Sequence, residues 1–332
     1  MKAFDAYCVF ASSRCKKMGE PKLIDARYHL RVILLLILSV SMVSSASILI
    51  RLSISPPLVK VFWRTLYGSM IMASVGAFRG NLHAFKEPVL KGRWTWLIFI
   101  GIMLSLHFSA WFVSLSMTSV AASVVLTDSS PIFTAVLSTL VLRESPRARA
   151  WAGVLIAFTG ASVLALADIE SSGTEAFAGD LLALLSAFFL SVYFIGGRKY
   201  ARGIPNSVYT TVVYFSAALT TLALCLTTGV DVIVLIPSEI ALFIALAVFP
   251  TALGHSVNNY LLTLVPAYVV SSAVLGEPVG ATLLAALILQ EIPSAMTLVG
   301  FVVILLGVAL VLMALPKDEG TTPSTLDDSD RS

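Results

Sequence analysis

Ten long apolar segments constrain the fold of this 332-residue chain more than any other feature of the sequence. A helix needs about 20 mostly apolar residues to cross a hydrocarbon layer of about 30 Å. Because backbone donors and acceptors find no water in that layer, such segments are predicted to be helices, and the fold class to be an all-α integral membrane protein. The segments, numbered first to tenth below, cover residues 30–50, 58–78, 94–116, 119–142, 150–167, 178–197, 208–229, 240–264, 266–289 and 295–315.

The composition excludes several classes of protein. Only 12% of the residues are charged, whereas a soluble domain has about 25%. The net charge of +3 is too small and too scattered for a nucleic-acid partner, so membrane lipid is the expected surrounding. The three cysteines form neither a disulfide framework nor a metal-ligand pattern, and the loops that cradle ATP or carry hydrolase nucleophiles are missing from the sequence. We therefore expect no cofactor, no metal and no enzymatic activity.

The distribution of cations predicts the orientation, since Lys and Arg stay on the cytoplasmic side of a membrane. With the N-terminus inside, 19 of the 22 cations fall in cytoplasmic segments. Arg51 and Lys60 then lie outside, and Arg64 lies within a span. We expect a multi-pass protein of the cytoplasmic (plasma) membrane with both termini in the cytoplasm. In a cell with two membranes this is the inner membrane. Translation from Met18 instead of Met1 would lose no predicted helix.

The second half of the chain repeats the first at an offset of 147 residues. The matches at that offset pair Pro131 with Pro278, Glu144 with Glu291, Gly153 with Gly300, Gly160 with Gly307, Arg51 with Arg198 and Tyr67 with Tyr214. Each half holds five segments, and an odd number forces the second half to enter the membrane from the opposite side. We predict two inverted five-helix repeats, 30–168 and 178–315, between polar tails at 1–29 and 316–332. Inverted repeats are typical of secondary transporters, whose substrate site lies at mid-membrane.

Three stretches of the sequence carry a resemblance to a known family. They read SVAASVVLTDSSPIFTAVLSTLVLRESPRARAWAGVLIAFTGASVLAL from residue 119, PAYVVSSAVLGEPVGATLLAALILQEIPSAMTLVGFVVILLGVALVL from residue 266, and PTALGHSVNNY from residue 250. With a Pro in the fourth and ninth segments, a Glu at their ends and glycines in the fifth and tenth, the chain resembles the EamA family of the drug/metabolite transporter superfamily. The resemblance implies a ten-helix carrier, of a family in which many members export amino acids, other metabolites or toxic amphiphiles.

Acidic residues at membrane depth are candidates for function, because burying a charge there costs a few kcal/mol or more. Asp128 lies three residues before Pro131, which removes a backbone donor and loosens the helix. Its role is open between a proton carrier or partner of a substrate cation and a buried structural hydrogen bond. Glu277 precedes Pro278 and aligns with Ser130 in the other repeat. It is a candidate for the same transport role, with helix shaping as the alternative.

Further candidates for the substrate pathway are basic, amide and aromatic side chains. Arg64 has three open roles: to hold a substrate carboxylate, to pair with one of the acids, or to extend toward the outer surface. The remaining residues predicted to line the pathway are Trp63 and Trp111 as apolar walls, with His107, His255, Asn258 and Asn259 as polar contacts. His107 and Trp111 share a helix face, as do His255, Asn258 and Asn259. Hydrogen bonding between helices is the alternative for each of these polar residues.

Other residues are expected to be structural. Glu144 and Glu291 lie at segment ends, and Glu144 is predicted to mark a helix boundary rather than to bind a ligand. Gly153, Gly160 and their counterparts in the tenth segment provide small faces for close helix packing.

The preferred hypothesis is a secondary transporter of a small amphipathic metabolite, moved outward as two inverted repeats rock around a cavity lined by the third, fourth, eighth and ninth segments. A small-molecule substrate and membrane lipid are the predicted partners, for a monomer or a homodimer. The alternative hypotheses are a lipid flippase or another lipid-handling membrane protein, and a sensor or scaffold that transports nothing.

We expect both ends of the chain to lie in the cytosol. Fusing a reporter that fluoresces only in the cytosol to either end of the chain should give signal from both fusions. Fluorescence from one end alone would contradict an even number of spans.

Overall fold

The structure is a computed structural model that describes residues 21–118, 120–166, 174–288, 290 and 295–314. Most of the two predicted tails, the acidic residues Asp168 and Glu170, and Glu291 lie outside the described residues. The first helix begins at Pro21, inside the predicted N-terminal tail. Its residues up to Leu34 form a unit separate from residues 35–315, and all contacts below are within the larger unit.

The described residues contain helices and no strand. In chain order the α-helices are α1 Pro21–Val43, α2 Ser45–Leu52, α3 Pro57–Phe78, α4 Pro88–Lys91, α5 Trp94–Met117, α6 Val120–Thr127, α7 Ser130–Leu137, α8 Ala148–Leu166, α9 Thr174–Tyr200, α10 Asn206–Thr228, α11 Pro237–Leu246, α12 Ser256–Leu264, α13 Ala267–Val274, α14 Glu277–Ile288 and α15 Ala295–Met313. Asn81–Lys86 is a 3₁₀ helix, and Ser138–Leu142 and Ala247–His255 are π-helical.

Six helical stretches of the described chain are long and apolar enough to cross a membrane. They are Arg27–Leu52, Trp94–Met117, Ala176–Tyr200, Asn206–Thr228, Pro237–Leu264 and Ala267–Ile288. Three shorter apolar helices cover Ser130–Leu142, Ala148–Gly160 and Leu298–Met313. The second segment forms the 22-residue helix Pro57–Phe78, which carries Lys60 and Arg64 and is outside both groups. The all-helical membrane fold is therefore confirmed, and the count of ten spans stays a prediction.

The fourth and ninth segments are both interrupted, at positions that the repeat makes equivalent. The fourth breaks between Thr127 and Ser130, and the ninth breaks between Val274 and Glu277. A proline follows each break, and a proline nitrogen cannot donate to the carbonyl four residues earlier. Each segment is consequently divided near its middle into two helical parts.

The eighth segment is distorted by a proline as well. Pro250 lies inside the π-helical stretch Ala247–His255 and leaves the Leu246 carbonyl without its usual backbone donor. The hydroxyl of Thr251 donates to that carbonyl at 2.8 Å. Such π-helical turns are often found at functional sites.

Glycines bring the fifth and tenth segments into direct backbone contact. A Cβ added to Gly153 would lie 2.6 Å from the Gly307 carbonyl, and one added to Gly160 would lie 2.9 Å from the Gly300 carbonyl. The glycines pair in reverse order along the two helices, so α8 and α15 run antiparallel. The offset of 147 residues relates Gly153 to Gly300 and Gly307 to Gly160. It therefore converts the first contact into the second, as a two-fold axis between the halves would require.

Charged residues hold the loops at the two ends of the bundle. Arg93 donates from Nη1 to the carbonyls of Tyr200 and Arg202, at 3.0 and 2.6 Å. Glu239 accepts from the Ser53 hydroxyl at 2.6 Å and from the Ser55 backbone N–H at 3.1 Å. Arg93 and Glu239 occupy almost equivalent positions of the two repeats, and each holds the loop between the first two segments of the opposite repeat. A cation thus holds the loop at one end of the bundle, and an anion holds the loop at the other end.

We expect Gly153→Ala to lower stability, because its methyl group would overlap the Gly307 carbonyl. Overpacking of this kind typically costs about 1–3 kcal/mol. The measurement is the apparent Tm of the purified protein in detergent. Gly92→Ala is the matched control, since only the Pro88 carbonyl lies near an added Cβ there, at 3.8 Å. Equal Tm values for the two variants would contradict the close contact.

Candidate functional site

A small buried cavity lies beside the interrupted helices. Its volume is about 30 Å³, room for about two water molecules. The polar side chains that line it are Arg64, His107, Trp111, Thr127, Asp128, His255, Asn258 and Glu277. Its apolar walls include Val43, Val124, Leu190 and Phe194. The first, second, third, fourth, sixth, eighth and ninth segments all contribute, so both repeats form the cavity.

Arg64 is fully buried, which is incompatible with extension toward the surface. Its Nε and Nη2 donate to the Thr251 hydroxyl at 3.2 and 3.1 Å. The guanidinium also lies 3.9 Å from the centre of the Phe108 ring, a cation–π contact. Nη1 has no hydrogen-bond partner among the described residues. One face of the cation is therefore held in place while one N–H group is left for another acceptor.

The two acids lie at the interruptions of the fourth and ninth segments. Asp128 follows the last residue of α6 and is 6% exposed, and its Oδ2 has no hydrogen-bond partner in the part of the chain that the structure describes. Glu277 is the first residue of α14 and is half-buried. Its carbonyl accepts from the Ser44 hydroxyl at 3.1 Å, which ties the ninth segment to the break between α1 and α2. The breaks bring both carboxylates to the cavity.

His107 is held in place by the sixth segment. Its Nδ1 donates to the Ser186 carbonyl at 3.1 Å, and the Ser186 hydroxyl donates to the His107 carbonyl at 3.0 Å. The imidazole stacks on Trp111 with the ring centres 6.3 Å apart. The indole Nε1 of Trp111 has no hydrogen-bond partner within the described ranges. This pair forms a flat, partly polar wall.

His255 and Asn258 provide the polar face of the eighth segment. The His255 ring meets the Phe108 ring edge-on at 5.1 Å, and its Nδ1 has no partner. Asn258 is 1% exposed, yet neither its amide nitrogen nor its amide oxygen has a hydrogen-bond partner among the residues that the structure describes. Buried polar atoms are nearly always paired, so several unpaired ones around one cavity are typical of a site that binds a polar ligand.

Two residues predicted to line the pathway do not line this cavity. The Trp63 indole donates to the Val232 carbonyl at 2.9 Å and stacks on Phe243. The Asn259 amide donates to the Tyr193 hydroxyl at 2.7 Å. Adjacent residues of a helix lie about 100° apart around its axis. Trp63 and Asn259 are therefore directed away from the cavity, although their neighbours Arg64 and Asn258 face it.

Sequence reasoning missed Thr251 and Ser186, which hold Arg64 and His107. Hydroxyl residues are frequent in this chain and often bond to their own helix, so their residue type gives no signal. Thr251 lies directly after Pro250, a position at which a hydroxyl can replace the lost backbone donor. That adjacency was the one available signal.

Most of the polar residues of the cavity break the repeat. Asp128 aligns with Leu275, His255 with Phe108 and Asn258 with Trp111. The frame of the two repeats is symmetric, but the chemistry of the cavity is not.

Paired helix interruptions around a buried polar cavity are typical of membrane transporters. The family model of the EamA-like transporter family matches residues 30–166 and 177–313. The chain belongs to this family, which is part of the drug/metabolite transporter superfamily. It is thus a multi-pass membrane protein of a transporter family.

Two relatives from Bacillus subtilis (strain 168) are described as uncharacterized transporters. YdfC is 26% identical over 199 residues, which cover 60% of this chain and 64% of YdfC. The match therefore spans less than two thirds of YdfC. YwfM is 25% identical over 231 residues, which cover 69% of this chain and 77% of YwfM. A crystal structure of another protein shares the fold, with a TM-score of 0.73, 22% identity and coverage of 86% of this chain and 97% of the other.

We expect Asp128→Leu to keep or raise stability, because it removes a buried carboxylate oxygen that lacks a partner and restores the residue type of the other repeat. Leaving a buried polar group unsatisfied costs about 1–3 kcal/mol. The measurement is again the apparent Tm in detergent, without ligand.

Glu239→Leu is the matched control for this prediction. Glu239 is also buried, but its carboxylate accepts hydrogen bonds from Ser53, Ile54 and Ser55. Its removal leaves those donors unpaired and should lower the Tm. A large loss of stability in Asp128→Leu would show that Asp128 serves as a structural bond.

Proposed function

We propose that the chain is a secondary transporter of the cytoplasmic membrane that exports a small amphipathic metabolite, such as an amino acid. The observation that carries this proposal is the buried cavity at the two equivalent helix breaks, where groups of both charges keep unpaired polar atoms. Family membership supports transport in general, and the cavity supports a solute with its own polar and charged groups.

The lining suits a solute that carries both an acid and an amine. Arg64 has a free N–H group on Nη1, which suits a carboxylate. Asp128 and Glu277 can accept from an ammonium group, and Asn258 can both donate and accept. Trp111 and Phe194 offer apolar surface for the remainder of the solute. A zwitterionic amino acid with an apolar side chain matches this set.

The proposed mechanism is alternating access between two inverted repeats of five spans each. The antiparallel contact of Gly153 with Gly307 and the equivalent breaks of the fourth and ninth segments support it. Inverted repeats can exchange conformations, so that the cavity faces first one side of the membrane and then the other. The cation count predicts that both termini lie in the cytoplasm, and with them the end of the bundle that holds Arg198. Export therefore begins at that end.

Protons are the proposed driving ion. Two carboxylates and one guanidinium line the cavity, so one carboxylate has no opposite charge when the solute leaves, and a bound proton can neutralise it. Asp128 is the preferred proton carrier, since its carboxylate is buried and its Oδ2 is unpaired. Glu277 is the second acid of the pair.

We expect Asp128→Asn to abolish uptake driven by a pH gradient and to preserve exchange of substrate for substrate. The amide keeps the shape and the polarity of the side chain but carries no exchangeable charge. The measurement uses proteoliposomes and a substrate found by screening amino acids, nucleotides and amphiphilic cations for thermal stabilisation of the purified protein.

Asp180→Asn is the control, because Asp180 is a carboxylate that accepts from Thr118 and does not line the cavity. This variant should keep both gradient-driven uptake and exchange. Driven uptake that is unaltered in Asp128→Asn would remove Asp128 from the coupling mechanism.

A further inference from the structure

Arg198 joins three segments at one end of the bundle. Its Nη2 lies 2.7 Å from Glu144 Oε1, and its Nε donates to the same oxygen at 2.9 Å. Its Nη1 donates to the Leu262 carbonyl at 3.0 Å. Glu144 ends the fourth segment, Arg198 ends the sixth and Leu262 lies near the end of the eighth. The guanidinium of Arg198 thus connects the first repeat to the second. The residue is buried, with 8% of its surface exposed.

The backbone presents Glu144 to this arginine. The π-helical turn Ser138–Leu142 ends at Arg143, which is left-handed with a φ of 58°. The Glu144 N–H donates to the Ser138 carbonyl at 3.0 Å. Gln290, 147 residues after Arg143, has the same left-handed conformation with a φ of 59°. This strained turn therefore belongs to the duplicated frame and is not an accident of one loop.

The three joined groups lie between the cavity and the end of the bundle. Phe194 lines the cavity, and Arg198 follows it on the same helix face four residues later, about 6 Å along the axis. His255 also lines the cavity, and Leu262 lies seven residues further, about 10 Å along the axis. Arg198 therefore lies between the cavity and this end of the bundle.

We propose that Glu144 and Arg198 are positioning residues that close this end of the cavity, and that their contact breaks each time this end opens. The inference rests on the proposed alternating access. Widening the passage separates the fourth segment from the eighth, and Arg198 can follow only one of them. Because Arg198 is buried, losing Glu144 leaves its charge unpaired until water enters, so opening and hydration of this end occur together.

A reporter cysteine in the cavity tests the proposal without any substrate. Ala46, which lines the cavity, is changed to Cys in a full-length chain that carries Cys8→Ser, Cys15→Ser and Cys225→Ala. A membrane-impermeant maleimide is then added to inside-out and to right-side-out membrane vesicles. We expect Glu144→Gln to raise the labelling rate at least threefold in one vesicle type and to lower it in the other.

Additional variants separate a positioning role from a general loss of structure. Arg198→Lys keeps the charge but loses the planar fork that binds a carboxylate, so it should shift labelling in the same direction and by less. The exchange Glu144→Arg with Arg198→Glu should return the rates toward those of the reporter chain. The control Arg147→Gln removes an exposed cation near Glu144 and should change neither rate.

Labelling rates that stay unchanged in both Glu144→Gln and Arg198→Lys would overturn the proposal. The proposal would also be overturned if Glu144→Arg combined with Arg198→Glu gave the same labelling rates as Glu144→Gln. That result would assign the change in labelling to a general loss of structure and not to the pairing of the two charges. Labelling does not depend on the identity of the solute or on protons. An absence of driven transport would therefore contradict the proposed function and leave this measurement informative.

Discussion

The structure depends on one constraint, which is that a backbone polar group inside a membrane must find a partner within the protein. This requirement explains the helices, and it also limits where a helix can be interrupted. Broken helices are tolerated only where protein or a polar cavity surrounds the free groups. The breaks before Pro131 and Pro278 meet this condition because each break faces the other repeat. Both lie beside the cavity that Asp128 and Glu277 line. The residues that disturb the helices thus fix the position of the cavity.

The two repeats share a symmetric frame, but the polar residues that line the cavity differ between them. Symmetry is retained where geometry is demanding, as in the glycine contacts and in the left-handed residues Arg143 and Gln290. Symmetry is lost around the cavity, where His255 and Asn258 align with Phe108 and Trp111 of the other repeat. A frame of two similar halves can support alternation between two states, while unlike linings let those states treat a solute differently.

Hydropathy and the repeat predicted the helical segments and the position of Asp128 at a weakened helix. They could not predict which side of each helix faces the cavity, since these helices are apolar all round. Trp63 is predicted to be an apolar wall and Asn259 a polar contact by its helical spacing, but their side chains bond to Val232 and Tyr193. The contact of Glu144 with Arg198 joins residues 54 positions apart, and spacing along one helix gives no information about it. Both residues recur in the other repeat, which was the one sign of a shared role.

The cavity holds about 30 Å³, far less than the 300–1,000 Å³ of ordinary small-molecule sites. A guest of amino-acid size can enter only after the surrounding helices separate. Part of its interaction energy must then be spent on this separation, so the measured dissociation constant exceeds the intrinsic one by the inverse of the fraction of molecules already expanded. Weak equilibrium binding is consequently compatible with strong discrimination, and a substitution far from the pocket that favours the expanded form would tighten binding without adding a contact.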